Sequence, residues 1–209
     1  MIAGVILAAG DSSRMGFPKQ LAEYKGKTIL ETVVETVTSN LDETVVVLGH
    51  ENDTITEKLD FKESTILINE NWEEGIVSSI RTALFYLSEN NEIDSAMIFM
   101  ADQPSVNNKI IDKLIKTKKK DDEVVISKYR YKLNYPIIVP KYFWSKLELL
   151  TYDNLLGEDD SLFKNFDLSL CINIPKFVEI CSQISFTVIN SCFLKLLNTC
   201  LLTISLLPG

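Results

Sequence analysis

The sequence is poor in the residues that build metal and redox centres. It has one histidine, His50, and its four cysteines (Cys171, Cys181, Cys192 and Cys200) lie within the last 40 of 209 residues with no CxxC pair. A zinc or dithiol motif therefore has no support, and the thiols read as free and buried. A basic surplus is also missing: 21 Lys and Arg stand against 29 Asp and Glu, a net charge of −8. This excludes a general nucleic-acid binder, which needs cations to neutralise a phosphate backbone, but permits a local cationic pocket for a small anion. No uninterrupted apolar run reaches the roughly 18 residues of a membrane span. The stretch 184–209 comes nearest, but Lys195 sits inside it with Asn190 and Asn198 nearby, so membrane insertion is not expected. The apolar run Ile2 to Ala9 is short and lacks a preceding basic segment, so no secretory signal is read and the cytoplasm is expected.

Two familiar phosphate loops are absent as well. The loop after Ala9 has only Gly10 and Gly16, which excludes GxGxxG. Gly26-Lys27-Thr28 suggests a Walker loop, but the leading glycine would fall on Leu21.

With 46% hydrophobic and 24% charged residues, the composition is that of an ordinary globular chain, long enough for one domain or one with a small appendage. Apolar runs alternate with helical patterns, which predicts a parallel α/β sheet. Ile2 to Ala9 reads as a buried strand. A helix capped by Thr28 follows, with Ile29, Leu30, Val33, Val34 and Val37 on one face. Strands are expected at 44–48, 64–68, 94–100, 124–127 and 137–139. Helices are expected at 53–59, from Gly75 to Leu87, from a Ser105 cap to about Lys120, and at 143–150.

Three stretches carry chemistry. The first strand opens into a loop of small and polar residues with two cations, Arg14 and Lys19; such a loop lets backbone N–H groups approach an anion while the cations neutralise it. Gly75, Ser78 and Ser79 stand at a helix start, where unpaired N–H groups and hydroxyls can receive an anion or a base edge, or simply cap the helix. Asp102 follows a central strand, where open α/β sheets bind ligands; it either holds Mg²⁺ or starts the turn before Pro104. Trp72 reads equally as a ligand-packing or a part-buried surface residue, and His50 as a loop residue without a role. Lys128, Arg130 and Lys132 alternate, so on one strand they would share a face, open to an anionic second substrate or to solvent.

Residues 7–21, LAAGDSSRMGFPKQL, resemble the LAAGxSxRMGxPKxL signature of nucleotidyltransferases related to molybdenum cofactor cytidylyltransferase. The Gly-x-x-Ser-Ser helix start and Asp102-Gln103-Pro104 match further elements of that family, and the resemblance covers roughly residues 1–150. It implies a doubly wound, mostly parallel Rossmann-like sheet of the nucleotide-diphospho-sugar transferase type, spanning 1–167. An apolar C-terminal segment, 168–209, would pack on the same domain.

The resemblance also implies a reaction. A CMP unit would pass from CTP to a phosphorylated acceptor, molybdopterin carrying molybdenum, with release of pyrophosphate. Leu7, Ala8, Ala9, Gly10, Arg14, Lys19, Gly75, Ser78 and Ser79 would bind the nucleotide. Lys19 and Arg14 would act in catalysis, and Asp102 would hold the Mg²⁺ cofactor. CTP is expected over GTP because guanylyl relatives tend to read LAGG, with glycine where this chain has Ala9. A recipient molybdoenzyme or its chaperone is the macromolecular partner to expect.

Three departures from the family pattern keep alternatives open. Asn134-Tyr135-Pro136 replaces a Gly-His-Pro-like turn, and Gly157 to Asp160 matches a Gly-Asp-Lys-Gly-like element imperfectly. Cys171 to Pro175 stands where relatives read Asp-Ile-Asp-Thr-Pro, with Asn173 in place of a metal-binding carboxylate. The alternatives are a catalytically weak nucleotide-binding module in cofactor maturation, and a transferase acting on another phosphorylated small molecule.

Overall fold

The computed structural model describes residues 1–12, 16–129, 132–147 and 172–173, all within the compact unit Met1–Pro175. Its centre is a seven-stranded sheet made of β1 (Ile2–Leu7), β4 (Glu43–Leu48), β5 (Thr65–Ile68), β6 (Ser95–Met100), β7 (Val125–Tyr129), β8 (Lys132–Pro140) and β9 (Ile172–Asn173), in the order β5-β4-β1-β6-β8-β7-β9. A two-residue ladder, β2 (Glu23–Tyr24) with β3 (Lys27–Thr28), stands apart from it. Strands β5, β4, β1 and β6 are mutually parallel, β8 runs antiparallel to β6 and β7, and β9 pairs parallel to β7. The expected doubly wound, mostly parallel sheet is therefore present, with β8 reversed.

Alternation along the strands divides the core in two. Ala3, Val5 and Leu7 of β1 face one side, with Val77, Ile80, Ala83, Leu84 and Leu87 of α3 (Ile76–Ser88). Trp144, in the short α5 (Trp144–Leu147), joins that side. Ile6 and Ala8 face the other side, with Leu30, Val33, Val34 and Val37 of α1 (Ile29–Thr38), Ile55 of α2 (Asn52–Lys58) and Ile111 and Leu114 of α4 (Asn108–Thr117). Continuous apolar runs such as Val45 to Leu48 are buried on both faces, which explains why these strands lack a polar alternation.

The Thr28 cap forms as expected. Thr28 Oγ1 accepts from Glu31 N at 3.2 Å, and Glu31 Oε2 accepts from Thr28 N at 2.9 Å, a reciprocal capping box. The Ser105 cap does not form: Asn107 Oδ1 takes the Ile110 N–H at 3.2 Å instead, so α4 starts two residues later. It ends at Thr117, short of the expected Lys120. Lys128 and Lys132 do not share one strand: Tyr129 pairs antiparallel with Lys132, which leaves Lys128 on β7 and Lys132 on β8. Arg130, between them, lies outside the described residues.

Among the described residues, no helix is long and apolar enough to cross a membrane. Arg14, Gly157 to Asp160, the four cysteines and residues 174–209 lie outside the described residues.

Candidate nucleotide-binding site

The site gathers where β1, β4, β5 and β6 end. Beyond β1, Ala8 N donates to Val47 O at 2.9 Å and Ala101 N donates to Leu7 O at 3.1 Å. The first loop thus leaves the sheet clamped between β4 and β6, at the point where successive connections turn to opposite faces.

A residue without a role in the sequence reading holds this loop in shape. Gln20 is 1% exposed, and its Nε2 donates to Ala8 O at 2.6 Å and reaches Gly10 O at 3.4 Å. Its Oε1 lies 3.5 Å from Ser12 Oγ, which accepts from Lys19 N at 2.7 Å. One buried amide therefore links the outgoing residues 8–10 with the returning residues 18–20. Its trace in the sequence is the Pro18-Lys19-Gln20 string, where a long polar residue adjoins the cation.

Lys19 and Asp102, 83 positions apart, meet at Nζ–Oδ2 3.1 Å. Their side chains are 32% and 43% exposed, so a solute can reach both. Beside them, Gln103 Nε2 donates to Asn134 Oδ1 at 3.0 Å, and the same oxygen accepts from Tyr135 N at 2.8 Å. This ties the turn after β6 to the start of β8. Among the described residues, Gln103 Oε1 is buried without a hydrogen-bond partner.

The second stretch is organised by another buried amide, also missed in the sequence. Asn69, 3% exposed, follows β5 and is held there by its N–H to Leu48 O at 2.8 Å. Its Nδ2 donates to Ser78 Oγ at 2.8 Å and Ser79 Oγ at 3.0 Å, and its Oδ1 accepts from Asn71 N at 3.0 Å. Ser78 Oγ in turn lies 2.9 Å from Asn71 O and 2.8 Å from Gly75 O, so its hydroxyl is committed within the loop. Both serines are buried, at 6% and 4% exposed. Gly75 leads into α3 with φ 95° and ψ −168°, a region essentially reserved to glycine.

Gly49 joins the two stretches. A Cβ there would stand 2.6 Å from Trp72 Cβ and 2.8 Å from Ala9 O, so only glycine lets the first loop and the Trp72 turn close on β4. His50 N donates to Ala9 O at 3.2 Å, and the His50 ring packs on Trp72 with centroids 4.9 Å apart. The structure thus brings Leu7, Ala8, Ala9, Gly10 and Lys19 together with Asp102. It places Gly75, Ser78 and Ser79 at the adjoining start of α3, linked through Asn69, Trp72 and Gly49. Asn173 is placed by its backbone on β9, paired with Lys128.

Asp102 fits a magnesium ion by the chemistry of its donor. Among the described residues, no group of three or more His, Cys, Asp or Glu forms a metal cage. A single accessible carboxylate beside a cation is compatible with the way Mg²⁺ is held when it keeps waters and shares substrate phosphates.

The MobA-like NTP transferase domain model matches residues 4–164, which take in every described site residue. A probable molybdenum cofactor guanylyltransferase of Natranaerobius thermophilus is 32% identical over 122 residues, 57% of this chain and 56% of the relative. Another from Bacillus cereus is 32% identical over 127 residues, 59% of this chain and 60% of the relative. The nicotine blue oxidoreductase of Paenarthrobacter nicotinovorans is 29% identical over 116 residues, 54% of this chain and 55% of the relative. The matched stretch thus spans between half and two thirds of the length of each of these relatives. Among solved structures, a Methanothermobacter nucleotidyl transferase aligns with TM-score 0.68 at 20% identity, covering 84% of this chain and 88% of that one. The molybdopterin-guanine dinucleotide biosynthesis protein A of Archaeoglobus fulgidus aligns with TM-score 0.58 at 22% identity, covering 91% and 93%. These two likenesses concern the fold, and the domain match concerns the family: the chain belongs to the MobA-like NTP transferases.

Proposed function

We propose that the chain transfers a nucleoside monophosphate unit from a nucleoside triphosphate to a phosphorylated small acceptor. An acceptor phosphate oxygen attacks the α-phosphorus, the bond to the β-phosphate oxygen breaks, and pyrophosphate leaves. The observation that carries this reading is the meeting of Lys19 with Asp102 at the mouth of the first loop, at 3.1 Å. One cation for phosphate and one carboxylate for a metal stand within a single triphosphate's reach.

In this reading the backbone of Leu7, Ala8, Ala9 and Gly10, fixed by Gln20, cradles the nucleotide. Lys19 and Arg14 neutralise the phosphates, and Lys19 stabilises charge developing on the leaving pyrophosphate. Gly75, Ser78 and Ser79 shape the nucleoside side of the site. Asp102 holds Mg²⁺, which when bound draws charge from the phosphate oxygens. Positioning and preorganised charge supply the rate, and no covalent intermediate with the protein is required.

Molybdopterin is the proposed acceptor, supported by the relatives' names. CTP is the proposed donor, supported by Ala9, which stands where guanylyl relatives tend to have glycine. GTP is the competing donor, because two of the relatives are named guanylyltransferases. Pyrophosphate release measured with CTP, GTP and ATP on supplied molybdopterin tests the reading. Lys19→Ala is expected to lower the rate by about 10²–10³-fold. Full activity in Lys19→Ala would overturn the assignment.

A further inference from the structure

The two charged groups of the site are engaged with each other. Lys19 Nζ lies 3.1 Å from Asp102 Oδ2, while both side chains remain open to solutes. The backbone at the foot of the Lys19 side chain is fixed, because Lys19 N donates to Ser12 Oγ at 2.7 Å and the next residue, Gln20, is buried. The turn that carries Asp102 is fixed as well: Gln103 N donates to Met100 O at 3.2 Å, and the Gln103 side chain is tied to Asn134. The backbones on either side of the ion pair are therefore held in place.

We propose that Asp102 is an internal stand-in for the substrate's phosphate, so that the pair is an autoinhibitory contact against metal-free nucleotide. The inference rests on the functional reading above, in which Lys19 meets phosphate and Asp102 meets the metal. A free triphosphate must take Lys19 from Asp102 and then lie beside an uncompensated carboxylate, and both effects weaken binding. When Asp102 turns to a divalent cation, Lys19 is released and the repulsion is cancelled together. The site thus discriminates in favour of the metal-complexed nucleotide before chemistry begins, because the exchange of partners is concerted.

The test is a double-mutant cycle on nucleotide affinity in excess EDTA, read by calorimetry with CTP and with GTP. Lys19→Met is expected to weaken metal-free binding. Asp102→Asn, which removes the carboxylate that the reaction would need, is expected to tighten it about three- to fivefold, the scale of a half-exposed ion pair. In the Lys19→Met background, Asp102→Asn is expected to give a smaller gain, the part due to repulsion alone, since no cation remains to be released. An undiminished gain in that background would reduce the effect to simple repulsion and overturn the inference. An unchanged or weakened affinity in Asp102→Asn, with Lys19→Met still weakening binding, would also overturn it while leaving Lys19 as a phosphate ligand. If Lys19→Met itself had no effect on either nucleotide, the functional reading would fail, and the inference with it. The urea unfolding midpoint of each variant, compared with wild type, serves as the folding control.

Discussion

The side-chain amide of Gln20 donates to the carbonyl of Ala8 at 2.6 Å, a buried bond between the two limbs of the first loop. Gln20→Ala should destabilise the fold by about 1–3 kcal/mol, because it leaves a buried carbonyl unpaired and opens a cavity. Nucleotide affinity should fall as well, although Gln20 is too buried to touch the ligand. Urea unfolding checks the first effect and calorimetry the second. A variant with wild-type stability would show that residues 8–10 keep their shape unaided.

Gly75 leads into α3 at φ 95°, and its carbonyl faces the Ser78 hydroxyl at 2.8 Å. Gly75→Ala should cost about 1–3 kcal/mol through backbone strain. Strain relief would turn the Gly75 carbonyl away from Ser78, so the hydrogen-exchange protection of the Ser78 amide, bonded to Gly75 O, should drop with it. An unchanged unfolding midpoint would contradict this.

The capping box of α1 has a pH signature. Hydrogen bonding from the Thr28 backbone N–H, then from its hydroxyl, holds the Glu31 carboxyl below its usual value against the opposing effect of burial. The folded state thus binds this proton less readily than the unfolded chain. The stabilisation is fully present above the unfolded value, about pH 4.3, and is lost as pH falls through the lower folded value. Glu31→Gln should lower Tm by about 1–2 °C at neutral pH. The gap to wild type should narrow as the pH is taken below 4, as calorimetric scans would show; a gap constant with pH would mean that charge at Glu31 contributes nothing.

The sheet was readable because its central strands are buried on both faces and register as apolar runs such as Val45 to Leu48. Asp102 is readable because it sits just beyond such a run, and Lys19 because it stands in the cationic loop that follows one, although the distance between them is not. Gln20 and Asn69 escaped notice for a shared reason: each is a polar residue whose partners are backbone or hydroxyl groups brought in by folding, and a chemically ordinary amide carries no local signal of that. At a helix start Ser78 reads equally as ligand-binding or capping, and only the family resemblance assigns it to the nucleotide; in the structure its hydroxyl is hydrogen-bonded to Asn71 O and Gly75 O. The cation alternation from Lys128 to Lys132 misled because its first and last members fall on two paired strands, which so short a pattern does not reveal.

The packing of Trp72 against His50 and Gly49 gives the molecule a built-in optical probe. The chain has two tryptophans, and the other, Trp144, is sealed in the core with its Nε1 donating to Val139 O at 3.1 Å. Emission from Trp144 reports global unfolding, whereas Trp72 senses events at the strand ends. A ligand bound at the strand ends and denaturation are therefore expected to carry separable fluorescence signatures in the unlabelled protein.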